Sequence, residues 1–76
     1  MKSLRELAPG ERGRIAAVDG EVEMMQRLLE MGLTPGTELE LVRVAPLGDP
    51  IEVRVRGYLL SIRKENAALV RVEPLA

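Results

Sequence analysis

The chain contains no cysteine, histidine, tryptophan or phenylalanine, and Tyr58 is its only aromatic residue. Without cysteine and histidine, disulfide bonds and the usual zinc and iron-sulfur ligand sets are excluded. The core must therefore be built almost entirely from aliphatic side chains, which the hydrophobic content of 46% makes feasible. The lack of cysteine is consistent with a reducing compartment, and we expect a cytoplasmic protein.

Long apolar runs and excess positive charge are also missing. The longest apolar runs, such as Ala67–Val70, are far shorter than the ~20 residues of a membrane span, and the first residues do not form a signal peptide. A net charge of −1 and a single aromatic residue argue against nucleic-acid binding. The two serines, Ser3 and Ser61, have no recognisable general base, so we expect no enzyme activity.

The apolar and turn residues predict one domain over residues 1–76. Strands are predicted over residues 13–18, 37–45, 51–56, 58–64 and 69–73, with a helix over 21–32 and one helical turn near 65–68. Four or five short strands are too few for two packed sheets. We therefore expect a mainly β fold, a small SH3-like barrel of about five strands with one inserted α-helix. Leu4 and Leu7 are expected to fill one end of the core.

The ends of the predicted helix carry recognisable signals. Asp19 is a candidate N-cap, and Gly32 suits the left-handed position that follows a helix, with Leu33 completing a Schellman motif. The next four residues, Thr34-Pro35-Gly36-Thr37, predict a type II turn, in which Pro35 and Gly36 hold the two central positions.

The pairing of strands 37–45 and 51–56 follows from their charges. The apolar phase changes within the first strand, which predicts a β-bulge. One register gives opposite charges at every outward position, whereas a tighter loop would oppose Arg43 to Arg54. The predicted pairs are Arg43–Glu52, Glu40–Arg54 and Glu38–Arg56, with Leu41 as the bulged residue and a loop from Ala45 to Pro50.

That loop, APLGDP, contains one residue that turn geometry does not require. Pro46 and Gly48 fit a type I turn, Pro50 keeps the residue before it extended, and Asp49 is suited to bind its own loop amides. Leu47 either packs on the end of the barrel or is an exposed anchor for another macromolecule. We favour the anchor, and name Leu47, Asp49 and Pro46 as candidate partner-binding residues.

The predicted helix is apolar over about half of its circumference, more than the ~100° stripe that packing on a small barrel requires. Its apolar residues are Val22, Met24, Met25, Leu28, Leu29 and Met31. Met25 and Leu28 lie at the centre of the arc and should be buried. One margin is expected to stay accessible, and Met24 and Met31 are candidate contacts because methionine suits adaptable surfaces. Alternatively, Leu4, Leu7 or Leu33 covers both margins.

No residues of this sequence form a convincing metal site. Methionine thioethers are soft ligands, whereas Fe(II) prefers imidazole and carboxylate. Glu21 and Glu23 are two positions apart on a helix and point away from each other, and Asp49 has no nearby carboxylate. We therefore predict no cofactor and no bound metal.

Four motifs in order resemble the FeoA family of bacterial ferrous iron transport: LxxL at Leu4 and Leu7, RLLEMGLTPGT at 27–37, APLGDPI at 45–51 and LSIRKENA at 60–67. The resemblance covers nearly the whole chain. It implies an SH3-like barrel with a helical insertion, no enzyme activity, and a cytosolic role in iron(II) uptake beside a permease that carries a G-protein domain. Because transition-metal homeostasis also uses this domain in iron-dependent repressors, the fold alone does not assign the role.

Three functional hypotheses follow. The first is a non-enzymatic module that binds the cytosolic G-protein domain of a ferrous iron permease through the 45–50 loop and one edge of the helix, without inserting into the membrane. The second is a freestanding relative of the C-terminal domain of iron-dependent repressors, which would need a separate DNA-binding partner. The third is a weakly self-associating subunit.

Overall fold

The computed structural model describes residues 1–75, which form one six-stranded antiparallel sheet with one longer helix. The strands lie in the order β1-β6-β2-β3-β4-β5, and the mainly β prediction is confirmed. The elements are β1 (Lys2–Ser3), a 3-10 turn (Leu4–Glu6), β2 (Arg12–Val18), α1 (Val22–Glu30), β3 (Glu38–Val44), β4 (Ile51–Val55), β5 (Tyr58–Ile62), α2 (Lys64–Ala67) and β6 (Val70–Leu75). The sequence pattern missed β1, because two residues are too few to show an alternation.

The core is aliphatic, as the composition requires. Alternate residues of β3 and β4 point inward, where they meet residues from β2 and β6 and one face of α1. Leu4 and Leu7 are both buried, which confirms that the first segment closes one end of this core. The buried apolar residues are Leu4, Leu7, Ile15, Leu28, Leu33, Leu39, Leu41, Ile51, Val53, Val55, Ile62, Ala67, Val70 and Val72.

The β3–β4 register confirms two of the three predicted charge pairs. Arg43 lies opposite Glu52 and Glu40 opposite Arg54; the Nε of Arg43 is 2.8 Å from Oε1 of Glu52. The predicted loop bounds are also right, since β3 ends at Val44 and β4 begins at Ile51.

Two details of that register were wrong. Leu41 pairs with Val53 and is fully buried, so the extra residue of the bulge is Val42 and not Leu41. The side chain at a bulged position no longer points into the core. The smaller Val42 takes that position, and the larger Leu41 stays buried. Glu38 does not pair with Arg56 but with two arginines of β2. Its Oε1 lies 3.2 Å from Nη2 of Arg12, and its Oε2 lies 3.1 Å from Nη2 of Arg14.

Arg56 instead donates hydrogen bonds to the Oγ1 atoms of Thr34 and Thr37, each at 3.0 Å. The Thr34–Thr37 turn closes as predicted, because the N–H of Thr37 donates to the carbonyl of Thr34 at 3.1 Å. Gly36 has the positive φ of 91° that a type II turn requires at its third residue.

The C-terminal end of α1 is a Schellman motif, as predicted. The N–H of Leu33 donates to the carbonyl of Leu28 at 3.1 Å, and that of Gly32 to the carbonyl of Leu29 at 3.0 Å. Gly32 has a φ of 99°, and a Cβ atom added there would collide with the hydroxyl of Tyr58. That hydroxyl donates a hydrogen bond to the carbonyl of Met31 at 2.6 Å, which joins the start of β5 to the helix end.

The N-terminal end of α1 differs from the prediction. Its N-cap is Glu21, which makes no side-chain capping bond, and the helix begins at Val22. Asp19 is not the cap: its Oδ2 accepts a hydrogen bond from Nε of Arg71 on β6 at 3.0 Å. Asp19 therefore binds an arginine 52 positions away in the chain, although the local sequence predicted that its carboxylate would cap the helix.

A side-chain cap does occur near the start of the chain. Oε1 of Glu6 accepts a hydrogen bond from the backbone N–H of Ser3 at 2.7 Å. This bond is the main reason why the pKa of Glu6 lies below its ordinary value, because it favours the ionised carboxylate. The cap holds the turn that carries the buried Leu4.

Candidate partner-binding site

The β3–β4 loop is closed at its base by its own backbone. The N–H of Ala45 donates to the carbonyl of Pro50 at 3.0 Å, and the N–H of Gly48 donates to the carbonyl of Ala45 at 2.7 Å. The second bond spans Ala45–Gly48 and is the predicted turn, with Pro46 at its second position. These bonds hold the loop in one shape with Leu47 at its tip.

Leu47 is 98% exposed, so it does not pack on the barrel. Of the two interpretations of the sequence, the core position is excluded and the exposed position is observed. A single exposed leucine is ordinary on a protein surface. This one differs because it projects from a loop that is fixed on both sides, so its burial by a partner would cost little conformational entropy.

Asp49 fixes the loop to the next part of the chain. Its Oδ1 accepts a hydrogen bond from the backbone N–H of Lys64, the first residue of α2, at 3.0 Å. The expectation that Asp49 binds amides of its own loop was therefore wrong. The Nζ of Lys64 lies in the same region, 3.7 Å from the position that a Cβ added to Gly48 would occupy. The side chain of Asp49 thus joins the loop to the backbone at the start of α2.

The helix α1 buries a narrower stripe than its sequence presents. Leu28 is buried, as predicted, whereas Met25 is only partly buried and its burial was overestimated. Met24 and Met31 are half-buried and pack against the core. The most exposed apolar residue of the helix is Val22, at 65%, which was not among the candidate contacts.

Met24 also lines an open groove between the start of α1 and α2. The groove measures about 450 Å³, and its walls combine apolar and acidic groups. Its lining residues are Gly20, Glu21, Met24, Glu65, Asn66 and Leu69. Nothing in the sequence indicated it, because α2 and Leu69 lie at least 40 positions from Met24 in the chain.

The short helix α2 therefore borders both candidate surfaces. Its first residue, Lys64, binds Asp49 of the loop, and its next residue, Glu65, lines the groove with Met24. Met31 lies at the opposite end of α1, where its carbonyl binds Tyr58. The structure thus associates Pro46, Leu47, Asp49 and Met24 with one short helix, and it separates Met31 from them.

Paired charges cover the outer face of the sheet. Arg54 lies 3.1 Å from Glu40, and Arg71 is held by Asp19. Together with the pairs of Arg43 and of Glu38, these contacts neutralise the basic positions of the strands. Exposed pairs of this kind contribute little stability, ~0–1 kcal/mol each, but they leave no uniform basic stripe along the strands of residues 1–75.

Within residues 1–75, no three acidic side chains converge closely enough to hold a metal ion. Over the same residues, no helix has the length and apolar character that crossing a bilayer would take.

The fold, a small antiparallel sheet wound around an aliphatic core with one inserted helix, defines an SH3-like domain. The FeoA domain model matches residues 2–74, and the chain belongs to the FeoA family. The motifs that suggested the resemblance, including the loop that carries Leu47, lie within this match.

Three similar proteins give the family its context. The chain is 40% identical over 70 residues to an Fe(2+) transport protein A/Fe(2+) transporter FeoB fusion protein of Porphyromonas gingivalis; the match covers 92% of the chain but 8% of that protein. A solution structure of FeoA from Chlorobium tepidum is 42% identical, with a TM-score of 0.89 over 97% of this chain and 70% of that one.

The third is the FeoA of Stenotrophomonas maltophilia in complex with zinc, described as an SH3 domain protein proposed to activate ferrous iron transport. It is 27% identical, with a TM-score of 0.83, and the match covers 96% of this chain and 91% of that one. A manganese-dependent transcriptional repressor shares the fold over 36% of its length, with a TM-score of 0.89 at 17% identity.

Proposed function

We propose that this protein is a non-enzymatic accessory subunit of ferrous iron uptake that binds the cytosolic G-protein domain of a ferrous iron permease. The observation that carries this proposal is the Porphyromonas gingivalis fusion, in which a similar domain and the transporter form one chain. A covalent link keeps two domains at a high effective concentration, so even a weak contact between them persists. The contact itself must be made by the surface of the domain.

The 45–50 loop is suited to supply that affinity. Leu47 is almost fully exposed, and the Asp49–Lys64 bond together with the turn keeps it in a single arrangement. A leucine buried in an apolar pocket contributes ~1.5–3 kcal/mol, and a preorganised loop loses little of this to ordering. We assign Leu47 the role of anchor and Pro46 and Asp49 that of holding it.

The groove beside α2 extends the same surface. Met24 and Leu69 contribute apolar side chains to its lining, and Glu21 and Glu65 contribute carboxylates. A partner segment with an apolar and a basic side would complement it, with the methionine side chain adapting to the shape of the apolar part. In this proposal Met31 contributes no direct contact, because it lies at the other end of the helix.

The test is a binding measurement with the purified cytosolic domain of the permease in its nucleotide-free, GDP-bound and GTP-analogue-bound states. We expect binding in at least one state. No binding in any of them would overturn the proposal. Retention of the chain by a metal-dependent repressor, and not by the permease domain, would favour the transcriptional hypothesis instead.

A further inference from the structure

β5 lies at the edge of the sheet, and its outer side is open. It pairs with β4 alone, and within residues 1–75 no other strand pairs with its second side. The turn between the two strands consists of Arg56 and Gly57, both with positive φ, 50° and 86°. Two central residues of this kind form a type I′ hairpin, which closes on a hydrogen-bonded pair, here Val55 and Tyr58.

The hairpin register determines which backbone groups of β5 are unused. In an antiparallel ladder, hydrogen-bonded and non-hydrogen-bonded pairs alternate. Leu59, opposite Arg54, and Ser61, opposite Glu52, are therefore the non-hydrogen-bonded positions. Their N–H and C=O groups point away from β4, toward the open edge, and both residues are exposed.

The side chains of β5 do not protect this edge. Natural edge strands usually carry a charge, a proline or a bulge that blocks pairing with another chain. Tyr58–Ile62 has the sequence YLLSI, with no charge and no proline, and its pairing with β4 is free of register shifts. Leu59 is 55% exposed on a sheet face otherwise occupied by ion pairs.

We propose that two copies of this chain associate weakly by antiparallel pairing of their β5 strands. The two-fold axis would pass between the two Leu60 residues, so that Leu59 of one copy lies opposite the partner's Ser61. Four main-chain hydrogen bonds then form from the N–H and C=O groups that point outward. The two Leu59 side chains become diagonal neighbours on one face, at a separation that long side chains bridge.

A second copy fits this edge because the edge is complementary to itself under that rotation: its donors, acceptors and uncharged side chains all find counterparts. One strand pair covers much less than the ~800 Å² per partner of a standard interface, so the dimer should be weak and concentration-dependent. The surface lies outside the 45–50 loop, and the inference stands independently of the proposed function.

The experiment is a series of amide NMR spectra recorded from about 0.02 to 2 mM protein, a range that detects weak association. We expect the amides of Leu59 and Ser61 to shift with concentration. Leu59→Lys places two like charges near the two-fold axis of the dimer. Leu59→Pro removes a backbone N–H that makes no hydrogen bond to β4 in the monomer. Each substitution should raise the dimer dissociation constant about tenfold or more. Leu47→Ser, an exposed leucine elsewhere, should leave it unchanged.

The β4–β5 amide shifts report whether each variant keeps its hairpin, so loss of association is counted only where that hairpin is intact. Concentration-independent β5 shifts would overturn the inference. So would unchanged association in both Leu59 variants, or shifts confined to the 45–50 loop. If Leu59→Lys abolishes binding to the permease domain while the free chain remains monomeric, the edge accepts a partner strand and not a second copy.

Discussion

The substitution Leu47→Ser separates a role in binding from a role in folding. Because Leu47 is 98% exposed, its removal takes almost no contact from the monomer. Surface substitutions of this kind change the free energy of unfolding by less than about 0.5 kcal/mol. For a domain of this size, we expect the melting temperature to move by less than about 4 °C.

Binding should respond much more strongly. If the partner buries the whole leucine side chain, the loss is ~1.5–3 kcal/mol of binding free energy. At about 1.4 kcal/mol per factor of ten, the dissociation constant for the permease domain rises about 10- to 150-fold. Isothermal titration calorimetry with the permease domain, in the nucleotide state that binds best, measures this change directly.

Two matched variants complete the experiment. Leu59→Ser alters an exposed leucine on a different strand and should change binding to the permease domain by less than about twofold. Leu41→Ala alters a fully buried leucine and should lower the free energy of unfolding by about 2–5 kcal/mol, which shows that the assay detects a core position. Equal affinity of the Leu47→Ser variant and the parent would refute the role of Leu47 as anchor. A fall in melting temperature like that of Leu41→Ala would refute the claim that it is free of the core.

Three further predictions concern the contacts that hold the fold and the loop. Asp49→Ala should lower the free energy of unfolding, measured by chemical denaturation, by about 0.5–1.5 kcal/mol, because the amide of Lys64 loses its acceptor. Asp49→Asn retains an oxygen and should lower it by less; equal losses in the two variants would contradict this role of Asp49. The pKa of Glu6 is lowered in the folded state, so its contribution to stability is present above the ordinary carboxyl pKa and is lost as the pH falls through the folded pKa. Glu6→Gln should flatten that part of the curve of unfolding free energy against pH. An unchanged slope would contradict the cap. Gly32→Ala should destabilise the fold more than Gly10→Ala, as measured by thermal denaturation. Both positions have positive φ, which costs an alanine ~1–2 kcal/mol, but only at Gly32 does the new methyl group collide with a neighbour. Equal losses of stability would contradict the geometry.

Most local features of this fold were predictable because they depend on neighbours in the chain. The Schellman end at Gly32 and the Thr34–Thr37 turn follow from the backbone preferences of glycine and proline. The pairs Arg43–Glu52 and Glu40–Arg54 follow from charge alternation across a single hairpin. That Leu47 is exposed was favoured by the same local reasoning, since the turn makes no use of it.

Most of the incorrect predictions concern residues with several possible partners. Glu38 could have paired across the predicted hairpin, but β2 brings two arginines to it. Asp19 could have capped α1, but β6 brings Arg71. The bulge could have fallen on Leu41 or Val42, since skipping either one restores the apolar phase, and burial of the larger side chain in the barrel decided it.

By itself, the sequence determined the types of the longer elements, the turns, the aliphatic core and the family, because these depend on short-range preferences and on the order of motifs along the chain. Only the tertiary structure decided that Asp49 binds α2, that Met24 shares a groove with Leu69, and that β5 has an open edge. These features arise from contacts between segments far apart in sequence. Such contacts form only when the chain closes around its core, and no local pattern specifies which distant group will arrive.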